Sequence, residues 1–224
     1  MQNPAKVRGI FSSIAARYDL ANHLLSGGLD FFWRARSVRM VARWEPHAVL
    51  DLATGSGDLA LALQKALPRA HVVGADFCLP MLQVAARKGL RPLVAADGTK
   101  LPFAAGSFDA VTMAFGLRNM ESWPAALREM SRILRPGGHL LLLDFSMPHP
   151  PFAALYRFYL HRVLPVFAGF ITGQRAGYEY LGESIEAFPS GQAMCRLMTE
   201  NNFHSTQALP LAAGIVTIYT AQKP

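Results

Sequence analysis

The segment VLDLATGSGDLA, residues 49–60, decides the fold of this chain. Its first residues form a short apolar run typical of a buried strand, and its last residues begin a helical pattern. Gly55, Ser56 and Gly57 separate the two, and with Ala60 they complete the spacing G-x-G-x-x-A. Because glycine has no side chain, such a turn lets a ligand lie close to the backbone. The motif alone suits NAD, FAD and S-adenosylmethionine equally.

The residues around this segment alternate between strand-like and helix-like patterns. The strand-like runs are AVLDLAT, AHVVGAD, RPLVAAD, FDAVTMAF and HLLLLDF, with helical stretches such as GDLALALQKAL and WPAALREMSRIL between several of them. Strands that are apolar nearly throughout are typical of a parallel sheet covered by helices on both faces. The pattern predicts a doubly wound, mostly parallel α/β sheet whose ligand site lies at the carboxyl ends of the strands.

A single domain of 224 residues is predicted. Residues 1–46 form an N-terminal helical cap, residues 47–147 the cofactor-binding core and residues 148–205 a helical lid and substrate region. Residues 206–224 contain a C-terminal strand, predicted from the β-branched run in LAAGIVTIYTAQK.

Charge and cysteine content exclude several classes of protein. The net charge is +7, but the local enrichment in FFWRARSVRMVAR spaces its arginines along a helix. A solvated helix face is the favoured interpretation, and no nucleic-acid partner is predicted. Cys78 and Cys195 lie far apart, which favours neither a disulfide nor a zinc site and fits a cytoplasmic protein. No signal-peptide pattern and no apolar run long enough for a spanning helix is present.

Acidic residues follow the strand-like runs. Asp76 ends the second run, 19 residues after Gly57, where a carboxylate can accept both hydroxyls of a ribose. Asp51 lies in the first run and suits the cationic end of S-adenosylmethionine, while Asp97 could take the adenine amine and Gly98 lets the ring approach. Each carboxylate has a structural alternative, a helix cap for Asp76 and a backbone brace for the others. In series they indicate S-adenosylmethionine.

Further motifs carry a family resemblance. The segments ARYD, DGTKLPF, FGLRN, ILRPGG and YLGESIEAFP, together with LDLATGSGD, resemble the ubiquinone/menaquinone-biosynthesis C-methyltransferase family over nearly the whole chain. The resemblance implies a Rossmann-like class I methyltransferase that transfers a methyl group from S-adenosylmethionine to a ring carbon of a prenylated quinol. Demethylmenaquinol is favoured as the acceptor, and a polyprenyl benzoquinol or another small molecule stays open.

Four residues are predicted to act on the quinol ring. Arg118 is expected to stabilise a phenolate oxygen and Asn119 to orient the ring. Asp19 is expected to accept a proton, with Tyr18 relaying it or stacking on the ring. The alternatives are a helix that packs through Tyr18, and an ion pair between Arg118 and Glu121.

Two predicted cofactor contacts depart from the family pattern. The resemblance implies cofactor contacts at Ala60 and Ala114, where the family commonly has hydroxyl residues. Neither alanine can form a side-chain hydrogen bond, so the departure bears on cofactor affinity. Asp144 stands where the family usually has glutamate.

The segment PFAALYRFYLHRVLPVFAGFIT, residues 151–172, supplies aromatic residues for an apolar trough. It is expected to rest peripherally on the inner face of the membrane, to fold as a lid on the domain, or both. The histidines share no metal-ligand spacing, so no metal is predicted, and a homo-oligomer stays open.

Overall fold

Seven strands form one sheet in the computed structural model, which describes residue 9 and residues 26–148, 150–166 and 175–224. The strands are β1 (Ala48–Leu52), β2 (His71–Asp76), β3 (Leu93–Ala95), β4 (Phe108–Ala114), β5 (Leu134–Phe145), β6 (His204–Leu211) and β7 (Val216–Gln222). Their order across the sheet is β3-β2-β1-β4-β5-β7-β6. The first five are parallel, and β7 runs antiparallel to both β5 and β6. The predicted doubly wound, mostly parallel sheet is confirmed.

Helices cover both faces of the sheet. They are α1 (Leu29–Ala42), α2 (Asp58–Ala66), α3 (Leu79–Arg87), α4 (Trp123–Ile133), α5 (Phe152–Phe158), α6 (Arg175–Ala187) and α7 (Gln192–Thr199). After α5 the chain continues in a wider π-helical turn, Tyr159–Val163. Local chemistry explains the sharp start of α4, where the Ser122 hydroxyl accepts a hydrogen bond from the Ala125 amide at 3.3 Å.

Side-chain alternation along the strands builds a separate core on each face. In β1, Leu50 and Leu52 pack into a cluster with α4 and α7, whereas Val49 packs on the other face with α1 and α2. All three side chains are fully or almost fully buried. Because the parallel strands end at one edge of the sheet, the loops that follow β1, β2, β4 and β5 meet there.

The C-terminal region differs from the sequence prediction. One late strand was expected from residue 206 onward, but two strands form, and the first begins at His204. The second half of the expected lid also belongs to the core, since α7 buries Met194 and Met198 in the same cluster as α4. Tyr18 and Asp19 lie outside the described residues. No helix in the described part of the chain combines the length and the apolar character required to cross a bilayer.

Candidate active site

The glycine turn joins β1 to α2 in a left-handed backbone conformation. Gly55 has φ +56° and Gly57 has φ +87°, values that L side chains rarely adopt. The Gly57 amide donates to the Thr54 carbonyl at 2.9 Å, which closes the turn. A Cβ on Gly57 would lie 2.9 Å from Leu90 Cδ2, so packing as well as conformation requires glycine. The predicted strand–glycine–helix turn is therefore present, with its backbone free of bulky side chains.

Asp76 lies at the end of β2, directly beside this turn. Its Oδ2 accepts the Gly55 amide at 2.9 Å, and its Oδ1 accepts the Cys78 amide at 2.8 Å. Burial raises the pKa of the carboxyl group, while these backbone hydrogen bonds act in the opposite direction. The Phe77 amide contributes a third backbone hydrogen bond, so about one of the four acceptor positions of the carboxylate is left for a ribose hydroxyl. The geometry therefore fits the predicted cofactor as well as the local capping role.

Asp51 is a buried carboxylate held by two threonines. The Thr112 hydroxyl donates to Oδ1 and the Thr54 hydroxyl to Oδ2, each at 2.7 Å. Burial raises the pKa of Asp51 to about 6, although both hydrogen bonds and the nearby Arg34 favour the charged form. Because its partner Thr54 directly precedes Gly55 in the loop after β1, the carboxylate braces the loop that carries Gly55. The bracing alternative is therefore realised, and a contact with the cofactor stays a prediction.

Asp97 and Gly98 occupy the loop after β3. Asp97 is exposed, and its Oδ1 accepts both the amide and the hydroxyl of Thr99 at 2.8 Å. Gly98 is buried, and a Cβ there would lie 2.5 Å from Met120 Cε. The exposed second oxygen of Asp97 leaves an acceptor position, and the missing Gly98 side chain also makes room for Met120.

The two alanines predicted to contact the cofactor lie in different surroundings. Ala60 is fully buried in the apolar cluster beneath α2, and Ala114 is half-buried at the end of β4. The contact predicted for each stays a prediction.

Arg118 forms a buried ion pair. Its Nη1 donates to Asp144 Oδ1 at 2.6 Å and to the Phe115 carbonyl at 2.7 Å, so the ion pair forms with Asp144 and not with Glu121, the alternative partner considered from the sequence. Burial raises the pKa of Asp144, and the Arg118 guanidinium opposes that shift. The guanidinium also lies 5.3 Å from the centroid of the Phe145 ring. Within the described part of the chain, its buried Nε–H has no hydrogen-bond acceptor.

Asn119 is fixed at both ends of its amide. Its Nδ2 donates to the Phe115 carbonyl at 3.2 Å, and its Oδ1 accepts the Tyr180 hydroxyl at 3.1 Å. Burial raises the pKa of Tyr180, so its hydroxyl remains protonated as a donor. Tyr180 reaches the site from α6, and sequence reasoning did not identify it, although it opens the YLGESIEAFP motif. Arg118 and Asn119, the two residues predicted to contact the quinol ring, thus both donate to the Phe115 carbonyl. Tyr180 is a further member of this hydrogen-bonded group.

A cavity of about 670 Å³ is lined in part by Phe115, whose carbonyl accepts from both Arg118 and Asn119. Its walls come from α1, the ends of β4 and β5, α5 with its π-helical turn, α6 and the loop between β6 and β7. Most of the side chains that line the cavity are apolar. The polar members are Ser26, Asp30, Arg34, Tyr156 and Tyr159. The apolar members are Leu29, Trp33, Phe115, Phe145, Pro148, Phe152, Leu155, Phe158, Leu160, Val163, Leu164, Leu181, Ile185, Ala212, Ala213 and Ile215. Small-molecule sites typically have this size and a mostly apolar lining.

The segment that follows Pro151 differs in exposure between its two halves. Phe152, Leu155 and Phe158 are more than half exposed, whereas Leu160 and Leu164 in the following turns are buried against α6. The second half therefore packs onto the domain, as the lid interpretation expects, while the membrane contact expected of the segment stays a prediction. Residues 167–172 lie outside the described ranges.

Arg34 corrects the prediction for the basic segment. Arg39 and Arg43 are exposed, as a solvated face requires, but the Arg34 side chain is only 12% exposed. It pairs with buried Asp30 and lies 3.8 Å from Asp58 at the start of α2. Arg34 thus places a cation between the cavity and the glycine turn, a position that no local pattern reveals.

Metal ligands were not predicted, and the described residues offer no candidate group. Within residues 26–148, 150–166 and 175–224, no three His, Cys, Asp or Glu side chains lie close enough together to hold a metal ion. That the reaction needs no metal stays a prediction.

Relatives of known name match the chain along nearly its full length. A protein of Thermus thermophilus named demethylmenaquinone methyltransferase is 47% identical over 223 residues, which cover 96% of this chain and 100% of the relative. A protein of Syntrophotalea carbinolica named ubiquinone/menaquinone biosynthesis C-methyltransferase is 44% identical, with 95% of this chain and 92% of the relative covered.

Solved structures share the fold. A SAM-dependent methyltransferase of Thermotoga maritima aligns with a TM-score of 0.69 and 17% identity, covering 97% of this chain and 100% of that one. Phosphoethanolamine N-methyltransferase 2 of Haemonchus contortus, solved in complex with S-adenosyl-L-methionine, aligns with a TM-score of 0.62 and 15% identity over 85% of this chain and 52% of that one. At such identities these matches establish the Rossmann-like methyltransferase fold.

The family model described as the ubiE/COQ5 methyltransferase family matches residues 1–223. Together with relatives above 40% identity, this match confirms the resemblance carried by the glycine turn and the FGLRN and YLGES motifs. The chain belongs to the ubiE/COQ5 methyltransferase family.

Proposed function

We propose that this protein transfers a methyl group from S-adenosylmethionine to a ring carbon of a prenylated quinol, with demethylmenaquinol as the acceptor. One observation carries the proposal. Arg118, whose buried Nε–H has no acceptor in the described part of the chain, contacts Phe115 and Phe145, and both of these residues line an apolar cavity at the sheet edge that also holds the glycine turn. The names of the relatives from Thermus and Syntrophotalea support the choice of acceptor.

The residues around the glycine turn would hold the donor, which supplies an electrophilic methyl group on a cationic sulfur. Gly55 and Gly57 have no side chains that would cover the backbone, and Asp76 would offer its remaining acceptor position to a ribose hydroxyl. Asp97 and its exposed oxygen would accept the adenine amine. The negative charge of Asp51 favours a cation nearby, and Ala60 and Ala114 leave any hydrogen bond there to the backbone.

The acceptor requires an electron-rich carbon, which favours the reduced quinol over the quinone. Loss of a phenolic proton raises the nucleophilicity of the ring further, so a cation beside the oxygen promotes the reaction. Arg118 provides that cation with its charge already balanced by Asp144, and its free Nε–H can donate to the oxygen. Asn119, fixed by Tyr180, would orient the ring. Asp19 and Tyr18 remain the proposed proton acceptor and its relay.

The apolar cavity would hold the first part of the prenyl chain and exclude water from the ring. The acceptor resides in the membrane, and we therefore place the protein in the cytoplasm, peripherally at the inner face of the membrane. The proposal involves no metal and no nucleic acid, and it does not depend on a homo-oligomer.

The test supplies methyl-labelled S-adenosylmethionine and one acceptor per reaction, followed by mass spectrometry of the lipid product. Reduced demethylmenaquinol is expected to gain one labelled methyl group on the ring, and the oxidised quinone is the matched control that gains none. Labelling of only the demethylated benzoquinol would reassign the acceptor, and labelling of neither would overturn the proposed substrate.

Calorimetry of donor binding, together with turnover, distinguishes residues that bind the methyl donor from residues that act on the acceptor. Asp76→Ala is expected to abolish donor binding, whereas Arg118→Ala is expected to retain it and to slow turnover. Unchanged donor affinity in Asp76→Ala would contradict the ribose contact, and full activity of Arg118→Ala would remove that residue from the reaction.

A further inference from the structure

Exposed apolar side chains are concentrated at two helices. Of the eight large apolar residues that are exposed in the described part of the chain, six lie in the first turn of α1 or on α5. We call these six the apolar rim, and they are Leu29, Phe31, Phe32, Phe152, Leu155 and Phe158, with exposed fractions between 50% and 68%. Large apolar patches of this kind mark interaction sites rather than ordinary surface.

The apolar rim adjoins the cavity, since four of its six residues also line it. Leu29, Phe152, Leu155 and Phe158 belong both to the exposed set and to the cavity lining. The apolar interior of the cavity is therefore continuous with an apolar outer surface. A polar metabolite that enters from water does not need such a path, whereas a lipid tail does.

The charges beside the apolar rim favour one kind of partner. Arg157, His161 and Arg162 are exposed on the same helical stretch. Glu186 contacts two of them, at 2.7 Å from Arg157 and 3.3 Å from His161, which leaves Arg162 as excess positive charge. Apolar residues flanked by cations are typical of helices that lie in an anionic membrane interface. A second copy of this chain fits less well, because a two-fold interface would set the same arginines against each other.

We infer that the apolar rim docks onto the surface of an anionic lipid bilayer, with the cavity mouth facing the acyl chains. The exposure of the apolar rim and the charges beside it support the docking surface by themselves. The identity of the lipid that enters the cavity rests on the proposed function. In this arrangement a prenylated quinol moves from the bilayer into the cavity without crossing water.

Vesicle cosedimentation tests the docking surface with the intact chain. Vesicles that contain phosphatidylglycerol are expected to bind the protein, and vesicles of phosphatidylcholine alone are expected to bind it less. The double variant Phe31→Ser with Phe32→Ser, and Leu155→Ser separately, are each expected to lower binding on the order of tenfold or more. Arg162→Gln is expected to lower binding to the anionic vesicles only. Leu79→Ser is the matched control, since Leu79 is 59% exposed but lies on α3.

Equal binding by all variants would overturn the docking surface. A dimer in light scattering that the rim variants convert to monomers, without vesicle binding, would also overturn it and identify a second copy as the partner. A failure of the proposed function can be distinguished from a failure of the docking surface. Methyl transfer to a short-tailed quinol in free solution is expected to be unchanged in the Phe31/Phe32 variant, so its absence in the wild type refutes the proposed function but not the docking surface.

Discussion

The buried carboxylate of Asp51 gives the sharpest test of the electrostatics beneath the glycine turn. Asp51 is 1% exposed, and each of its oxygens accepts one threonine hydroxyl. The substitution Asp51→Asn keeps the shape and removes the charge. Because a threonine hydroxyl can accept as well as donate, one of the two hydroxyls can rotate to accept from the new amide. We therefore expect the substitution to remove the cost of burying a charge while the local hydrogen bonds persist.

The magnitude follows from the pKa of Asp51, which burial raises from 3.8 to about 6. Between these two values the folded chain holds a proton that the unfolded chain has released, so this carboxyl makes the free energy of unfolding fall as the pH rises. A pKa difference of one corresponds to about 1.4 kcal/mol, so the full cost above pH 6 is about 3 kcal/mol. The asparagine side chain does not titrate, and the Asp51→Asn variant is expected to gain that amount relative to wild type between pH 4 and pH 7.

Urea denaturation at half-unit steps from pH 4 to pH 7.5 measures this difference directly. The difference in free energy of unfolding between the variant and wild type is expected to increase with pH and to level off near neutrality. Glu183→Gln, which also replaces one carboxylate by an amide but at an exposed position, is the control for the loss of a negative charge. A difference that is independent of pH, or a variant less stable than wild type at pH 7.5, would refute the reasoning.

Three further predictions concern the Arg118 pair, Tyr180 and the glycine turn. Arg118→Ala leaves the Asp144 carboxylate buried without its ion-pair partner and is expected to lower the free energy of unfolding, measured by urea denaturation, by about 3–5 kcal/mol. Adding Asp144→Asn is expected to recover part of that loss. A loss below about 1 kcal/mol would contradict a buried pair. Tyr180→Phe removes the donor to Asn119 and is expected to lower turnover with donor affinity unchanged, as steady-state kinetics and calorimetry would show; unaltered turnover would exclude the positioning role. Gly57→Val combines an unfavourable φ with a Cβ contact at 2.9 Å and is expected to lower stability by at least about 2 kcal/mol, so a wild-type melting temperature would contradict the packing.

The sequence was informative where the decisive pattern is local. The apolar runs and the helical periods predicted the parallel sheet, because strands buried on both faces and helices buried on one leave different spacings. The glycine turn was predictable for the same reason, since Gly55 and Gly57 need only their own backbone conformation and the packing beneath them. The carboxylate beside the turn, Asp76, followed from its place at the end of the next strand.

Partners from distant parts of the chain could not be predicted in this way. Thr112 lies 61 residues from Asp51, and the two meet because β1 and β4 pair in register at these positions. The local pattern offered Arg118 a partner three residues away, yet the parallel pairing of β4 with β5 places Asp144 beside it instead. Tyr180 is also 61 residues from its partner and reaches it only through the packing of α6.

The missed strand has a different cause. In β6, from His204 to Leu211, every side chain is exposed or half-buried, because this strand lies at the edge of the sheet. Edge strands need not alternate between apolar and polar residues, and they tolerate a proline such as Pro210. The apolar neighbour β7 carried the only recognisable strand signal in this region.

One strained residue connects the two halves of the site. Phe115 has φ +57°, a conformation that costs a residue with a side chain roughly 1–3 kcal/mol. Glycine would relieve that cost, but the side chain has its own use, because its ring lines the cavity and lies 4.8 Å from the Phe145 ring. The same backbone conformation sets the carbonyl where both Arg118 and Asn119 donate to it. The ring of Phe115 thus shapes the apolar cavity while its carbonyl orients the polar groups, which ties the position of the acceptor to the position of the cation that would stabilise it.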